Sequence, residues 1–321
     1  MGITVLSLFD GISCGYLALE RAGIDVDRYY ASEIDRNAIE ISEKNYAGKI
    51  IRLGDINGWE KWKLEKIDLI IGGSPCQGFS RNGIGLNFED TRSKLFFVFA
   101  EILQEVKVRN PEILFLLENV EMKKEWENII TQTIGAEPTK INSKLLSAQS
   151  RPRIYWQNIR QAGEAPKDAG IKLKDILENP RIETIEENGL NFDKSICKQQ
   201  REIAERTQDG NAKIKQATKA GYIIAEPYDG VNLQMPKSKT RRGRVIKGKS
   251  STVDTAADIC VFTGNAIRKF TLVELERLQT LPDGYTEADG ITDSERKKAI
   301  GNGWTVDIIS FFFKGIKEGR A

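Results

Sequence analysis

The chain has 321 residues, 40% of them hydrophobic and 29% charged, and its 48 basic and 46 acidic residues leave a net charge of +2. A chain of this length buries a core without disulfide bonds, and no apolar run approaches the roughly 20 residues of a membrane span, so we expect a globular protein that is neither secreted nor membrane-embedded. Its four cysteines have no paired spacing and it has no histidine, which excludes the usual zinc sites and any histidine-activated nucleophile.

Short apolar runs alternate with amphipathic stretches through the first half of the chain. The runs predict strands at 3–9, 28–32, 49–53, 68–73, 113–119, 143–147 and 153–159, with helices over 15–23, 35–46, 93–107 and 124–134. This alternation predicts an α/β fold, a doubly wound and mostly parallel sheet of the Rossmann-like type. Ligands of such folds lie at the carboxyl ends of the strands.

The first three strand ends carry signals for a nucleoside. The segment SLFDGISCG, residues 7–15, joins the first strand to a helix, although glycine is common in any such turn. Glu33 ends the second strand and Asp55 ends the third. These carboxylates suit ribose hydroxyls and an adenine amino group without a phosphate, which favours S-adenosylmethionine over a dinucleotide.

Candidate catalytic groups follow the next strands. Cys76 lies in GGSPCQGFS (72–80) after the fourth strand, Glu118 ends the fifth, and Arg151 and Arg153 open the seventh. A lone cysteine is as often inert packing as chemistry. An acid at the end of an apolar run needs a partner, and the sheet is expected to bring these groups to one edge.

Irregular, charged sequence from 162 to 264 predicts a second, smaller domain. The alternating pattern then resumes: Thr271 and Glu274 form a capping box that opens a helix, as do Thr292 and Glu295, and an apolar helix starts at Val306. We therefore predict that residues 1–161 and 265–321 form one domain, into which the second is inserted.

These motifs, in this order, resemble the DNA (cytosine-5)-methyltransferase family of bacterial or phage type, with some similarity to the mammalian de novo enzymes. The resemblance rests on SLFDGISCG, ASEID, GDI, GGSPCQGFS, LLENV, QSRPR, RKFTLVELERLQTLPDGY and AIGNGWTV, which span nearly the whole chain. The segment from about 162 to 262 lacks a strong signature. The family implies an S-adenosylmethionine-dependent fold in which 1–161 is catalytic and 162–264 recognises the target.

The resemblance implies a role for each catalytic candidate. Cys76 adds to carbon 6 of a flipped-out cytosine, because carbon 5 is otherwise a poor nucleophile, and a thiolate needs only modest help to form. Glu118, kept protonated in an apolar site, donates to ring nitrogen 3 and the exocyclic amine. Arg153 holds the cytosine carbonyl, and Arg151 lies beside it on the target backbone.

The family also implies the binding residues. S-adenosylmethionine, whose product is S-adenosylhomocysteine, is expected to contact Phe9, Asp10, Gly11, Ile12, Glu33, Ile34, Asp55, Ile56, Pro75, Leu95, Asn302 and Val306. The sequence departs from the family pattern at Cys14 and Gly303, which puts contacts there in doubt. DNA is expected to contact Gln77, Ser80, Arg81, Asn82, Arg241, Arg242, Arg244, Lys247, Lys249 and Thr252.

The DNA residues fall into two groups. Residues 77–82 precede and begin the glycine-rich segment RNGIGLNFEDTR (81–92), which is expected to close over the flipped base, although a polar loop beside a site can also be plain surface. The others belong to the stretch from Val231 to Val253, which has seven basic residues and no acidic one. Such a stretch suits phosphate binding, although many charged runs are only solvated surface.

Two alternatives remain open from the sequence. One is a tRNA cytosine methyltransferase, since CVFTGN (260–265) faintly resembles that branch; the interrupted match and the basic stretch favour DNA. The other is a non-catalytic DNA-binding subunit, against which Cys76, Glu118 and Arg153 argue. We expect a cytoplasmic monomer of a bacterial or phage-infected cell that acts on double-stranded DNA without metal or membrane. The sequence leaves open whether it has a cognate restriction endonuclease as partner or is an orphan enzyme.

Overall fold

A computed structural model describes residues 2–75 and 91–319 of the chain. The backbone contacts divide it into two compact units. The first unit comprises Met1–Asn142, Pro152–Lys167 and Gly303–Ala321, and the second comprises Ser143–Arg151 and Asp168–Asn302.

The first half of the chain alternates strands with helices. Its elements are β1 (Ile3–Leu8), α1 (Cys14–Ala22), β2 (Val26–Ser32), α2 (Arg36–Tyr46), β3 (Ile50–Arg52), β4 (Leu69–Gly72), α3 (Thr91–Arg109), β5 (Leu114–Val120), α4 (Lys124–Ile134), β6 (Pro138–Asn142) and β7 (Pro152–Gln157).

The second half is richer in short strands. Its elements are β8 (Thr184–Glu187), β9 (Leu190–Asp193), α5 (Lys198–Arg201), β10 (Ala204–Arg206), β11 (Ala212–Lys215), β12 (Tyr222–Ala225), β13 (Asp229–Asn232), β14 (Arg244–Ile246), β15 (Cys260–Phe262), β16 (Ala266–Lys269), α6 (Leu272–Leu278), α7 (Asp293–Asn302) and α8 (Val306–Glu318).

A seven-stranded sheet in the order β3-β2-β1-β4-β5-β7-β6 forms the first unit. Strands β1 to β5 pair in parallel, and β7 runs antiparallel to both of its neighbours. The central strands are buried on both faces, as parallel strands covered by helices are. The predicted α/β fold with a mostly parallel sheet is therefore confirmed, and the carboxyl ends of β3, β2, β1, β4 and β5 follow one another along one edge.

One strand was predicted in the wrong place. Residues 143–147 were expected to be extended, but Ser143–Leu145 is a single 3-10 turn in which Leu146 N–H donates to Ser143 O. The edge strand is β6, just before it. Its first residue is Pro138, which an edge strand tolerates because no ladder hydrogen bond is needed there.

Two sheets form within the second unit, where the sequence predicted irregular structure. One has the order β14-β13-β15-β16-β9-β8 and the other β10-β11-β12. Their strands have only three or four residues each, too few for an alternating pattern to stand out. Both predicted capping boxes are confirmed: Thr271 and Glu274 exchange backbone-to-side-chain hydrogen bonds, and so do Thr292 and Glu295.

In the part of the chain that the structure describes, no helix combines the length and the apolar character that crossing a lipid bilayer requires.

Candidate active site

A strained turn joins β1 to α1 at the carboxyl edge of the sheet. Phe9, Gly11 and Ser13 all have positive φ, at 59°, 57° and 59°. Left-handed backbone suits glycine but is an outlier for a bulky residue such as phenylalanine. A β-carbon at Gly11 would meet no atom within 4 Å, so the turn presents open backbone at this edge.

Glu33 braces this turn from the end of β2. Its Oε2 accepts the Gly11 N–H at 2.8 Å, and its Oε1 accepts the N–H groups of Ile34 and Asp35 at 2.8 and 2.9 Å. Because a carboxylate has about four acceptor positions, this geometry orients Glu33 and leaves capacity for a ligand hydroxyl. The next side chain, Ile34, is 71% exposed and offers an apolar surface.

Asp55 lies beyond the end of β3, exposed to solvent. Its Oδ1 accepts from the backbone and side-chain nitrogens of Asn57 at 2.9 and 2.8 Å, which starts the following 3-10 turn. The carboxyl edge of the sheet therefore presents two oriented carboxylates, an exposed isoleucine and open glycine backbone. This set of residues fits the adenosine part of S-adenosylmethionine.

Asp10 differs from the other predicted cofactor residues, because its carboxylate faces into the protein. Its side chain is fully buried and accepts from Ser7, Ser13, Tyr29 and Arg52. Burial raises the pKa of Asp10, although these hydrogen bonds and the Arg52 charge oppose the rise. A direct cofactor contact from Asp10 is therefore limited to its backbone.

The remaining predicted cofactor residues are distributed between core and surface. Ile12, Ile56 and Val306 are buried, Phe9, Pro75 and Leu95 are half-buried, and Asn302 is exposed in the second unit. The structure leaves their roles as predictions.

The predicted nucleophile and the residues after it lie outside the described residues. These are Cys76, Gln77, Ser80, Arg81 and Asn82. The chain before them is fixed by β5, because Asn119 Nδ2 donates to Ser74 Oγ at 3.1 Å. The described segment Gly73–Pro75 thus leads to Cys76 from a defined position.

Glu118 and Arg153 form an ion pair at the end of β5. Arg153 Nε lies 2.8 Å from Glu118 Oε1, and the two side chains are only 11% and 12% exposed. Arg153 also donates from Nη1 to Pro152 O at 2.8 Å. The antiparallel pairing of β5 with β7 brings the residues together, as the sequence predicted. The structure gives Glu118 a guanidinium as its direct partner, and the role expected for Glu118 towards the cytosine ring stays a prediction.

Trp304 is a residue that the sequence reasoning missed. A β-carbon at Gly73 would lie 3.0 Å from Trp304 Nε1 and 3.2 Å from Glu118 Oε2, and one at Gly15 would lie 3.5 Å from Trp304 Cζ3. The indole therefore lies close to Gly15 near the start of α1 and to Gly73 after β4, where Glu118 is also near. Its position in AIGNGWTV, inside a recognised motif, was the available signal.

Arg151, which the sequence predicted to lie on the target backbone, is buried in the structure. It belongs to the second unit and is 4% exposed. Its guanidinium donates to Val253 O at 2.7 Å and to Gly301 O at 3.0 Å. These contacts hold the Arg151 side chain within the second unit, and its role on the target backbone stays a prediction.

Lys249 likewise cannot serve as a phosphate contact. It is 7% exposed, and its ammonium donates to the carbonyls of Lys144, Ser147 and Ile171. An ammonium has three N–H groups, so all of its donors are used. Burial lowers the pKa of Lys249.

The other predicted DNA contacts of the second unit are more accessible. Arg241, Arg244 and Lys247 are exposed, although Lys247 pairs with Asp229 at 2.9 Å. Arg242 is half-buried and donates to Gln216 O. Thr252 donates from Oγ1 to Ser150 O at 2.8 Å. Its hydroxyl hydrogen is therefore already used in a hydrogen bond, and its oxygen can still accept one.

Comparisons with known proteins show the family to which the chain belongs. A family model described as C-5 cytosine-specific DNA methylase matches residues 3–318. The Type II methyltransferase M.NgoBI of Neisseria gonorrhoeae is 30% identical over 319 residues, covering 95% of this chain and 90% of that protein. The orphan methyltransferase M.Rho11sI of Bacillus phage rho11s is 35% identical over 175 residues, covering 50% of this chain and 33% of that protein.

A solved structure is similar in fold over nearly the whole chain. A DNA modification methyltransferase encoded within an E. coli prophage matches with a TM-score of 0.61 and 20% identity, covering 99% of both chains. At that identity the likeness concerns the fold alone.

Proposed function

Because this chain belongs to the C-5 cytosine-specific DNA methylase family, we propose that it methylates carbon 5 of a cytosine flipped out of duplex DNA, through a covalent adduct with Cys76. It is an S-adenosylmethionine-dependent methyltransferase. The observation that supports these roles is the Glu118–Arg153 ion pair beside Gly73, three residues before Cys76. S-adenosylmethionine supplies an electrophilic methyl group.

The reaction needs no metal and no histidine. The Cys76 thiolate adds to carbon 6 of the ring, which makes carbon 5 nucleophilic. Carbon 5 then forms its bond to the methyl group as the bond from that methyl to sulfur breaks. Loss of the carbon 5 proton to a base expels the Cys76 thiolate and restores the aromatic ring. The donor leaves as S-adenosylhomocysteine.

Glu118 and Arg153 would stabilise the ring during these steps. When no cytosine is bound, each side chain holds the other through the bond from Arg153 Nε to Glu118 Oε1. With cytosine present, the proposed contacts are Arg153 to the ring carbonyl and Glu118 to ring nitrogen 3 and the exocyclic amine. Preorganised groups of this kind act most strongly in sites that exclude water.

Target recognition is proposed to belong to the second unit, which includes most of the predicted domain 162–264. Three of its exposed basic residues, Arg241, Arg244 and Lys247, suit phosphates or guanine edges. A base inside a duplex is out of reach of a thiolate, so the reaction requires base flipping. We further propose that the enzyme acts as a monomer in the cytoplasm, with a cognate restriction endonuclease as a separate partner.

The direct test is tritium transfer from labelled S-adenosylmethionine to duplex DNA and, in parallel, to tRNA. We expect transfer to DNA and none to tRNA. The Cys76→Ser variant is expected to lose transfer while binding S-adenosylhomocysteine as the wild type does, because serine lacks a thiolate nucleophile.

The possible results separate the candidates. Transfer to tRNA alone would favour the tRNA enzyme, and transfer to neither would favour a non-catalytic subunit. If Cys76→Ser still methylates DNA, the nucleophile is assigned wrongly. The Cys197→Ser variant, which changes an exposed cysteine of the second unit, is the matched control and should transfer normally.

A further inference from the structure

The turn from Phe9 to Ser13 holds a conformation that its sequence does not favour. Positive φ at Phe9 and at Ser13 is costly for residues with a β-carbon. Such strain persists only where the surroundings over-determine it, and it concentrates at ligand sites. Contacts beneath this turn must therefore supply the restraint.

The buried carboxylate of Asp10 provides that restraint. Its Oδ1 accepts from Ser7 Oγ at 2.7 Å and from Tyr29 OH at 2.8 Å. Its Oδ2 accepts from Ser13 Oγ at 2.5 Å and lies 3.4 Å from Arg52 Nη1. Asp10 thus ties the strained Ser13 to three other positions on β1, β2 and β3.

A second path closes these contacts into a ring. Arg52 Nη2 donates to Ser42 Oγ at 2.5 Å, and Ser42 Oγ lies 2.5 Å from Ser13 Oγ. The Ser13 hydrogen is committed to Asp10, since a carboxylate only accepts, so Ser42 donates to Ser13. In both paths each donor therefore points from Arg52 towards Asp10. Hydrogen bonds in a chain with one donor direction strengthen one another.

The ring and Glu33 hold the same turn from two sides. Asp10 and Ser13 are bound through the ring, and Gly11 between them donates its N–H to Glu33. Asp10 N–H donates to Ser32 O at 3.1 Å, next to Glu33 in the chain. Loosening the ring would therefore displace both the open backbone at Gly11 and the Glu33 carboxylate.

We infer that the ring of Asp10, Ser13, Ser42 and Arg52 is a positioning device that fixes the cofactor turn in its binding conformation before S-adenosylmethionine arrives. Asp10 acts through the turn, and its carboxylate does not contact the cofactor. The inference rests on the proposed function, in which this turn and Glu33 bind the adenosine part. Preorganisation of this kind improves affinity because less ordering is left for the binding step.

Calorimetric titration with S-adenosylhomocysteine tests the inference. Asp10→Asn places an amide among hydrogen-bond donors, so the turn should relax from its strained conformation. We expect the Kd for S-adenosylhomocysteine to rise about 10-fold, because binding must then restore the left-handed conformation of one residue. In the transfer assay, KM for S-adenosylmethionine should rise while kcat stays unchanged. Ser42→Ala breaks only the second path and should raise Kd about threefold; it decides the question if Asp10→Asn does not fold.

Glu127→Gln is the matched control. Glu127 is another buried carboxylate of the first unit, bound to Lys124 and Lys140, so its variant should lower Tm without changing Kd. Wild-type Kd in both ring variants, or an equal rise in Glu127→Gln, would overturn the inference. A wild-type protein that does not bind S-adenosylhomocysteine would instead count against the proposed function.

Discussion

At the scale of single residues, Glu118 and Arg153 form an ion pair at the proposed site of methyl transfer. The side chains are nearly buried, and each is the other's ion-pair partner. Breaking a buried pair by removing one charge leaves the other uncompensated. The pair therefore keeps both groups oriented while no base is bound.

Glu118→Gln is expected to slow methyl transfer about 100-fold, because a neutral amide cannot exchange a proton with the ring. Binding of S-adenosylhomocysteine should stay unchanged. Single-turnover transfer to duplex DNA at saturating S-adenosylmethionine measures the rate. Glu121→Gln, an exposed glutamate three residues further along, is the control; a rate loss there as large as in Glu118→Gln would show that position 118 is not special.

The sequence predicted the nearness of Glu118 and Arg153 but not the direction of other side chains. Both residues end or begin strands that pair, so fold topology alone brought them together. The buried carboxylate of Asp10 accepts from Tyr29 and Arg52, which are far from it in the chain and form no local motif with it. Likewise, nothing in a basic stretch distinguishes the exposed Lys247 from the buried Lys249.

At the scale of elements, Glu127 links α4 to β6. It accepts from Lys124 on its own helix at 2.8 Å and pairs with Lys140 of β6 at 2.8 Å, while its side chain is 3% exposed. Burial raises the pKa of Glu127, but the hydrogen bonds and charges of the two lysines outweigh it and leave the pKa below its usual value. Folding thus favours the ionised form.

Glu127→Gln is expected to reduce the free energy of unfolding by about 1 kcal/mol at pH 7. A lowered folded-state pKa contributes stability above the unfolded pKa, near 4.3 for glutamate, and loses it as pH falls through the folded value. The difference from wild type should therefore be constant from about pH 5.5 to 7 and vanish in more acidic solution. Urea unfolding at several pH values measures it.

Glu125→Gln provides the comparison for that series. Glu125 is exposed in the first turn of the same helix, so its charge interacts only with the helix N-terminus, a weaker effect. If both variants gave the same loss with the same pH dependence, the link to β6 would be refuted.

Helix starts could be predicted where a few neighbouring residues encode them, whereas several strands could not be predicted from local sequence. The capping boxes at Thr271 and Thr292 form within four residues of chain and were found from the sequence. The edge strand β6 was missed because Leu145 and Leu146 imitate a buried strand. Two pairings of the second unit, β13 with β15 and β16 with β9, join strands that are far apart in the chain, which no local pattern encodes.

On the scale of the whole molecule, the near-neutral charge hides a local excess. The net charge is +2, yet Val231 to Val253 has seven basic residues and no acidic one. Lys249 is buried among carbonyls, whereas Lys239 and Arg244 are exposed. The DNA affinity proposed for this stretch would therefore come from its exposed members.

Replacing Lys239 and Arg244 together by glutamine should weaken duplex DNA binding and flatten its salt dependence. Each phosphate contact contributes about 0.9 to the slope of log K against log salt concentration, because its loss leaves one fewer counterion to release. Fluorescence anisotropy at several salt concentrations measures that slope. The control replaces Lys61 and Lys63, exposed residues of the first unit, and changes the net charge equally. Equal slopes in the two variants would mean that overall charge, rather than the basic stretch, attracts DNA.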